Sequence, residues 1–407
     1  MKSRQPLLLI DGCTGEGGGQ LVRLACALAA VTSSPIRITN VRGNRDRGGG
    51  LKSQHVSAIE WLAKATQAEV KGLVVGSRTL EFRPTAPPTT VKDRNIVITA
   101  ESRGASALLI LQAVFPYLLF AGNENGDPIE LEIHGSTNAS FSPSYEYLDQ
   151  VLLPTLEERF GILVERQLRK RAWTIGPIDQ GTIWVKFQPI SPGKTLKLVK
   201  PWNSEEQPGD LDKIKRIDVT ILVPYAMREP MENAMVNYLG AEFPEAEINF
   251  IVNEDSGHNA RMYVLAVAYS ESGLRWGRDF LYDRSWKKKQ VTTLAKEIAK
   301  TVTKRLWEQD QLVVFQVLAE GRTTYWSRAT ERQHDEAPPD RARDVDGMNR
   351  DLENLSLGKT EKRDKTHRPF GFGSTHATTA RWVASELLPT VQWFNNGTIC
   401  EGAGISS

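Results

Sequence analysis

Residues Asp11 to Gln20 read Asp-Gly-Cys-Thr-Gly-Glu-Gly-Gly-Gly-Gln, and no other stretch narrows the choice of fold as much. An apolar quartet, Leu7-Leu8-Leu9-Ile10, precedes it. Leu21-Val22-Arg23-Leu24-Ala25-Cys26-Ala27-Leu28, apolar at helical spacing, follows. A strand therefore feeds a helix through a turn that carries a glycine triplet and one carboxylate. Glycine tolerates positive φ and lets another molecule come close to the backbone. The first turn of the helix adds unpaired N–H groups and the positive end of its dipole, both of which favour an anion. Glu16, in the middle of this anion-friendly loop, makes most sense if a metal ion accompanies the phosphate. No Gly-Lys-Ser/Thr follows, so this is not a Walker A loop. A plain tight turn is the commoner meaning of a glycine cluster, and other residues must decide between the two.

A chain of 407 residues can bury a sizeable core, as two domains or as one domain with a large insertion. A net charge of +2 is too mild to imply nucleic acid by itself, so charge placement has to carry that argument. Cys13, Cys26 and Cys400 are too scattered for a disulfide framework or a zinc ribbon and suit a reducing compartment. The apolar quartet near the N-terminus is too short for a signal-peptide core. The segment 105–121 is shorter than a membrane span and contains Pro116. A soluble intracellular protein is expected.

Periodicity predicts strand 7–10, helix 18–32, strand 35–41, a basic loop, helix 54–66 and strands near 68–76 and 79–83. A second round follows: strand 95–99, helix 104–121 with a break before Pro116, strand 128–133 and helix 144–159. A third round starts near 162 and is interrupted by a βαβ-like piece at 186–284, with strands 217–223, 247–252 and 262–269 and a helix at 229–239. It resumes with helices near 289–305, 309–319 and 377–388. The expected class is α/β: a repeated unit over 1–185 and 285–407, with a small α/β domain at 186–284 inserted in the third copy. Residues 328–369 balance acids against bases with few large apolar side chains, which predicts a disordered charged insertion.

Two more segments carry chemistry. Arg42 to His55 places three arginines and Lys52 in a glycine-rich loop that ends at another helix start. Basic loops are commonly just solvated surface, but the guanidinium fork matches phosphate and the glycines let such a loop wrap its ligand. Gly373-Ser374-Thr375-His376-Ala377-Thr378-Thr379 is again a small-residue turn opening a helix. A lone histidine is more often a surface or core residue than a nucleophile. Beside a phosphate site, though, its imidazole suits in-line attack on phosphorus.

Together these segments resemble the RNA 3′-terminal phosphate cyclase family over most of residues 5–200 and 285–390. The carriers are Asp11 to Arg23, the loop from Arg42 to His55, Gly76-Ser77 before Leu80-Glu81-Phe82-Arg83-Pro84, and Leu111-Gln112 ahead of Pro116. Gly135-Ser136-Thr137-Asn138 with Pro143, Asp310-Gln311-Leu312, and Thr375 to Thr379 complete the set. The resemblance implies three βαβαββ-type units with a small α/β domain inserted in the third. It also implies a reaction: ATP adenylylates a histidine, AMP passes to an RNA 3′-phosphate, and the vicinal 2′-hydroxyl displaces AMP to close a 2′,3′-cyclic phosphate. By this resemblance His376 is the nucleophile and Glu16 holds a divalent metal, magnesium or manganese. Gln112, Pro143, Trp307, Asp310 and Gln311 line the nucleotide pocket, and Arg23, Arg42, Arg45, Gln54 and His55 hold the RNA phosphate. Partners would be ATP and an RNA with a 3′-phosphate end, without a membrane. A nuclear location is expected from the family's eukaryotic members. The chain departs from the family around 176–181, in the short segment before Asp310 and by the insertion 328–369. The alternative is a non-catalytic relative acting in ribosomal RNA processing or ribosome assembly, a branch that lacks the histidine.

Overall fold

The computed structural model describes residues 6–45, 48–200, 213–271, 273–283, 290–304, 306, 311–324, 374–394, 397 and 399–407. Trp307, Asp310 and the segment 328–369 lie outside them.

The first unit comprises β1 (Leu8–Asp11), α1 (Gly19–Thr32), β2 (Ile36–Thr39), α2 (Ser53–Ala65), β3 (Glu69–Lys71) and β4 (Leu80–Arg83). Its sheet runs β1-β2-β4-β3, with β1 and β2 parallel and the other neighbours antiparallel. One face is buried and the other meets water: Ile10 is 1% exposed and its neighbour Leu9 69%.

The second unit repeats the pattern with β5 (Asn95–Thr99), α3 (Ala107–Leu119) and β6 (Ile129–Gly135). A helical run follows, made of α4 (Tyr145–Tyr147), a π-helical turn (Leu148–Leu152) and α5 (Leu153–Phe160). Strands β7 (Val164–Lys170) and β8 (Gly181–Phe187) close the sheet in the order β5-β6-β8-β7, with the same directions as the first. The chain near 162, expected to open the third round, thus completes the second sheet. Nor does α3 break at Pro116, which stays inside the helix. Proline removes only the bond to the Gln112 carbonyl four residues back, near the helix end, while the buried helix is held on several sides by packing.

The third unit keeps the pattern in reduced form. Lys197 bridges Glu320 in parallel, in place of a full first strand. Then come α8 (Val313–Leu318), β13 (Arg322–Thr324), α9 (Thr375–Leu387), β14 (Gln392–Phe394) and β15 (Ile399–Glu401), in the sheet order β13-β15-β14. Helices α1, α3, α8 and α9 of the three units meet in one continuous core that includes Leu28, Leu108, Val114, Phe315 and Val383.

Between Lys197 and α8 lies a second α/β body: β9 (Ile214–Val223), α6 (Arg228–Glu242), β10 (Glu247–Asp255), β11 (Tyr263–Ser270), β12 (Arg275–Leu281) and α7 (Val291–Lys304). Its sheet runs β10-β9-β11-β12. The sequence reading assigned α7 to the resumed third unit, yet Leu294, Ile298 and Val302 share a core with Val219, Met231 and Trp276 of the inserted body. Strand β12 was not foreseen, because Arg275, Gly277, Arg278 and Asp279 interrupt any apolar signal. Among the described residues, no helix is long and apolar enough to cross a membrane.

Candidate active site

The glycine loop between β1 and α1 is fastened to α9, although more than 350 residues separate them. The Glu16 N–H donates to Thr379 Oγ1 at 2.9 Å, and that hydroxyl donates onward to the Thr375 carbonyl at 2.6 Å. Gly15 makes this approach possible. Its φ is +63°, and a Cβ there would lie 1.9 Å from Thr379 Oγ1. From the other side Asn44 Nδ2 donates to the Cys13 carbonyl at 2.7 Å and the Gly15 carbonyl at 3.2 Å.

His376 occupies the first turn of α9, which Ser374 caps by accepting the Ala377 N–H at 3.1 Å. Its ring is half-exposed and faces the loop. Nδ1 lies 3.0 Å from Gln20 Oε1 and 3.2 Å from Glu16 Oε2. Gln20 Oε1 is an acceptor, so the tautomer this arrangement selects carries its proton on Nδ1 and leaves the lone pair on Nε2. Glu16 also pairs with Arg45 through Oε1. Its Oε2 is buried and, despite the ion-pair distance to His376, takes no hydrogen bond among the described residues. An orphaned, buried carboxylate oxygen beside an anion loop fits a ligand for a hard divalent cation. The described residues contain no cluster of three or more His, Cys, Asp or Glu.

Behind Gln20 opens a cleft with about 870 Å³ of empty space, open solvent included. Gln20, Arg23 and Leu24 of α1 line it, with Gln112 and Phe115 of α3, Pro143, Tyr147 and Leu148, Gln311 ahead of α8, and Ala380 of α9. All three units contribute, and the Gln112 side-chain amide donates to Gln311 across the cleft. An apolar lining with a few convergent polar groups suits a heterocyclic base with a charged tail.

Three of the expected phosphate residues, Arg23, Arg45 and His55, gather at the start of α1, with Arg45 Nη2 2.6 Å from where a Cβ on Gly18 would lie. A Cβ on Gly19 would lie 2.6 Å from His55 Nε2 and 3.0 Å from Arg23 Nη1, so both side chains converge on this backbone. Arg42 donates to the Gly50 carbonyl at 3.3 Å, and partial burial lowers its pKa. Gln54 is buried in the first turn of α2, beside His55. His55 is 1% exposed; its Nδ1 accepts the Lys52 N–H at 3.0 Å, so Nε2 bears the proton. Among the described residues that buried N–H has no hydrogen-bond partner, and it lies against the opening turn of α1. A buried donor at a helix start suits an anion oxygen as its acceptor.

Burial pushes the His55 pKa well below 6.5, and the nearby charges of Arg23, Arg42 and Lys52 push the same way. The unfolded chain therefore takes up the proton first. The stability this contributes is full above 6.5 and is lost as pH falls toward the lower folded value. Between about pH 7.5 and pH 5.5 the protein should lose roughly 1 kcal/mol more than His55→Asn does, measured by denaturant unfolding. Equal losses would show that folded and unfolded chains take up the His55 proton alike.

Sequence reasoning missed Gln20, Thr379 and Asn44, which hold the site residues in place. Gln20 could have been suspected from its position directly after the glycine triplet. Nothing local marks Thr379 or Asn44. Trp307 and Asp310 lie outside the described residues, so neither is placed here.

The model of the family described as RNA 3′-terminal phosphate cyclase matches residues 14–337. An RNA 3′-terminal phosphate cyclase of Pyrobaculum aerophilum is 32% identical over 322 residues, 77% of this chain and 86% of that protein. One from Methanopyrus kandleri is 29% identical over 78% of this chain and 88% of its own length. Another, from Methanosarcina mazei, is 40% identical over 183 residues, 45% of this chain and 48% of its own. The family match takes in the glycine loop from Thr14 onward, the arginine loop and the cleft residues other than Ala380, and ends before α9, so the place of His376 rests on its hydrogen bonds rather than on that match. A family match over well more than half of the chain, with a relative 32% identical over 77% of it, leaves one assignment: this chain is a member of the RNA 3′-terminal phosphate cyclase family.

Proposed function

We propose that the protein converts an RNA 3′-phosphate to a 2′,3′-cyclic phosphate at the expense of ATP, by way of a histidine-bound AMP and an RNA adenylate. The observation that carries this reading is the His376 ring, held through Nδ1 by Gln20 and beside Glu16 at the edge of the three-unit cleft.

In the first step His376 Nε2 attacks the α-phosphorus of ATP, an N–P bond forms, and the bond to the bridging oxygen breaks to release pyrophosphate. Gln20 and Glu16 stabilise the positive charge that develops on the ring. An oxygen of the RNA 3′-phosphate then attacks the same phosphorus and frees the imidazole. Finally the 2′-hydroxyl attacks the RNA phosphorus, AMP leaves, and the ring closes. Arg23 and the His55 N–H at the start of α1 hold the RNA phosphate, together with Arg42, whose charge acts on His55. The cleft with Gln112, Pro143 and Gln311 holds the adenosine. A divalent metal on Glu16, when bound, neutralises triphosphate charge.

Incubation with α-labelled ATP and magnesium or manganese tests the reading. Label should appear on the protein and should move to an RNA with a 3′-phosphate, whose end becomes cyclic. A folded preparation that takes no label, with either metal, refutes the proposal and favours the non-catalytic alternative.

A further inference from the structure

The cleft wall formed by Pro143 and the helical run behind it has a second face, which rests on the inserted body. Tyr147 and Val151 pack against Leu222, Leu265, Val267 and Leu281 from strands β9, β11 and β12. The fit is close: a Cβ on Gly277 of β12 would lie 2.2 Å from Val151 Cγ2. Polar ties join the same surfaces. The Ser144 N–H donates to Asp279 Oδ2 at 2.9 Å, and Ser144 Oγ is 2.6 Å from Tyr263 Oη. Gln150 Nε2 donates to Thr220 Oγ1 at 3.1 Å. Ser144 also caps α4 by accepting the Tyr147 N–H at 3.0 Å. One serine thus connects the inserted body, the start of the helical run and its neighbour Pro143.

We propose that Asp279 and Tyr263 of the inserted body are positioning residues for the bound nucleotide, acting through Ser144 to fix Pro143 and Tyr147 in the cleft wall. This rests on the reading of the cleft as an adenine-nucleotide pocket. Tyr263 is buried and Asp279 partly buried, neither lines the cleft, and they exert their effect through backbone placement. Desolvation raises the Asp279 pKa from its ordinary value. What the position needs is an acceptor for the Ser144 N–H, and an asparagine carbonyl can supply it. Without that acceptor a buried N–H is left unsatisfied, and the loop relaxes to find another partner.

The test uses the full chain and four measurements: thermal midpoint, the ATP KM and the maximal rate of self-adenylylation, and AMP affinity by equilibrium dialysis. Asp279→Ala should raise the ATP KM and weaken AMP binding about tenfold, with the maximal rate within about threefold of native. Asp279→Asn should stay within about twofold of native on every measure, and Tyr263→Phe should raise the KM roughly threefold. A folded Asp279→Ala protein with native KM and AMP affinity overturns the inference. So does an Asp279→Asn protein as impaired as the alanine variant. If the alanine variant does not fold, Tyr263→Phe decides by the same two measurements, and native values for both overturn the proposal. A wild-type protein that binds no AMP and takes no label from ATP refutes the pocket reading itself, and the positioning role falls with it.

Discussion

His376→Ala should yield a folded protein that takes up no label from α-labelled ATP, a loss on the order of 10⁵-fold in adenylylation rate. The fold should survive because the ring is half-exposed at the first turn of α9, and because the Ser374 cap and the Glu16–Thr379 bond do not involve it. Unchanged thermal midpoint together with absent label is the expected pair of results. Label on the alanine variant, stable to the same workup, would place the nucleophile elsewhere and remove His376 from the mechanism. A preadenylylated RNA should still be closed by the variant at a measurable rate, since its last step needs the RNA phosphate held and the 2′-hydroxyl oriented, not an imidazole nucleophile.

Glu16→Gln carries the second large effect. Glutamine preserves side-chain length and can still meet Arg45, but it removes the charge that a divalent cation requires. Adenylylation should fall about 10–100-fold at limiting metal and recover in part as the metal concentration is raised. The buried Oε2, without a hydrogen-bond partner among the described residues, motivates this expectation. A variant with native rate and native metal dependence would show that the carboxylate serves Arg45 and His376 and not a cation.

Much of the architecture was legible because its signals are local. The apolar quartet before Asp11, the apolar spacing after Gln20 and the alternation in 129–135 report on neighbours in sequence, and elements stand at those places. The reading failed where packing overrides local preference. Pro116 marks a helix break in isolation, yet α3 continues through it because the helix is buried among three units. Strands β7 and β8 resemble a new round in sequence, but they complete the second sheet, β8 pairing with β6 and β7 with β8. Helix α7 presents an apolar stripe that fits either body, and only its contacts with α6, β11 and β12 choose one.

For the site, the chain itself determined the types and the turns: glycines that admit a close approach at Gly15 and Gly19, a carboxylate at Glu16, guanidinium groups at Arg23, Arg42 and Arg45, and an imidazole opening a helix at His376. Those are properties of single residues and short loops, and they survive in the sequence. What the tertiary structure alone decided is the pairing: Gln20 with His376, Thr379 with Glu16, Gln112 with Gln311, and Ser144 with Asp279. Each joins positions 135 to 363 residues apart. A hydrogen bond tolerates only a few tenths of an ångström, so such contacts follow from how helices of separate units pack, and no local pattern encodes them.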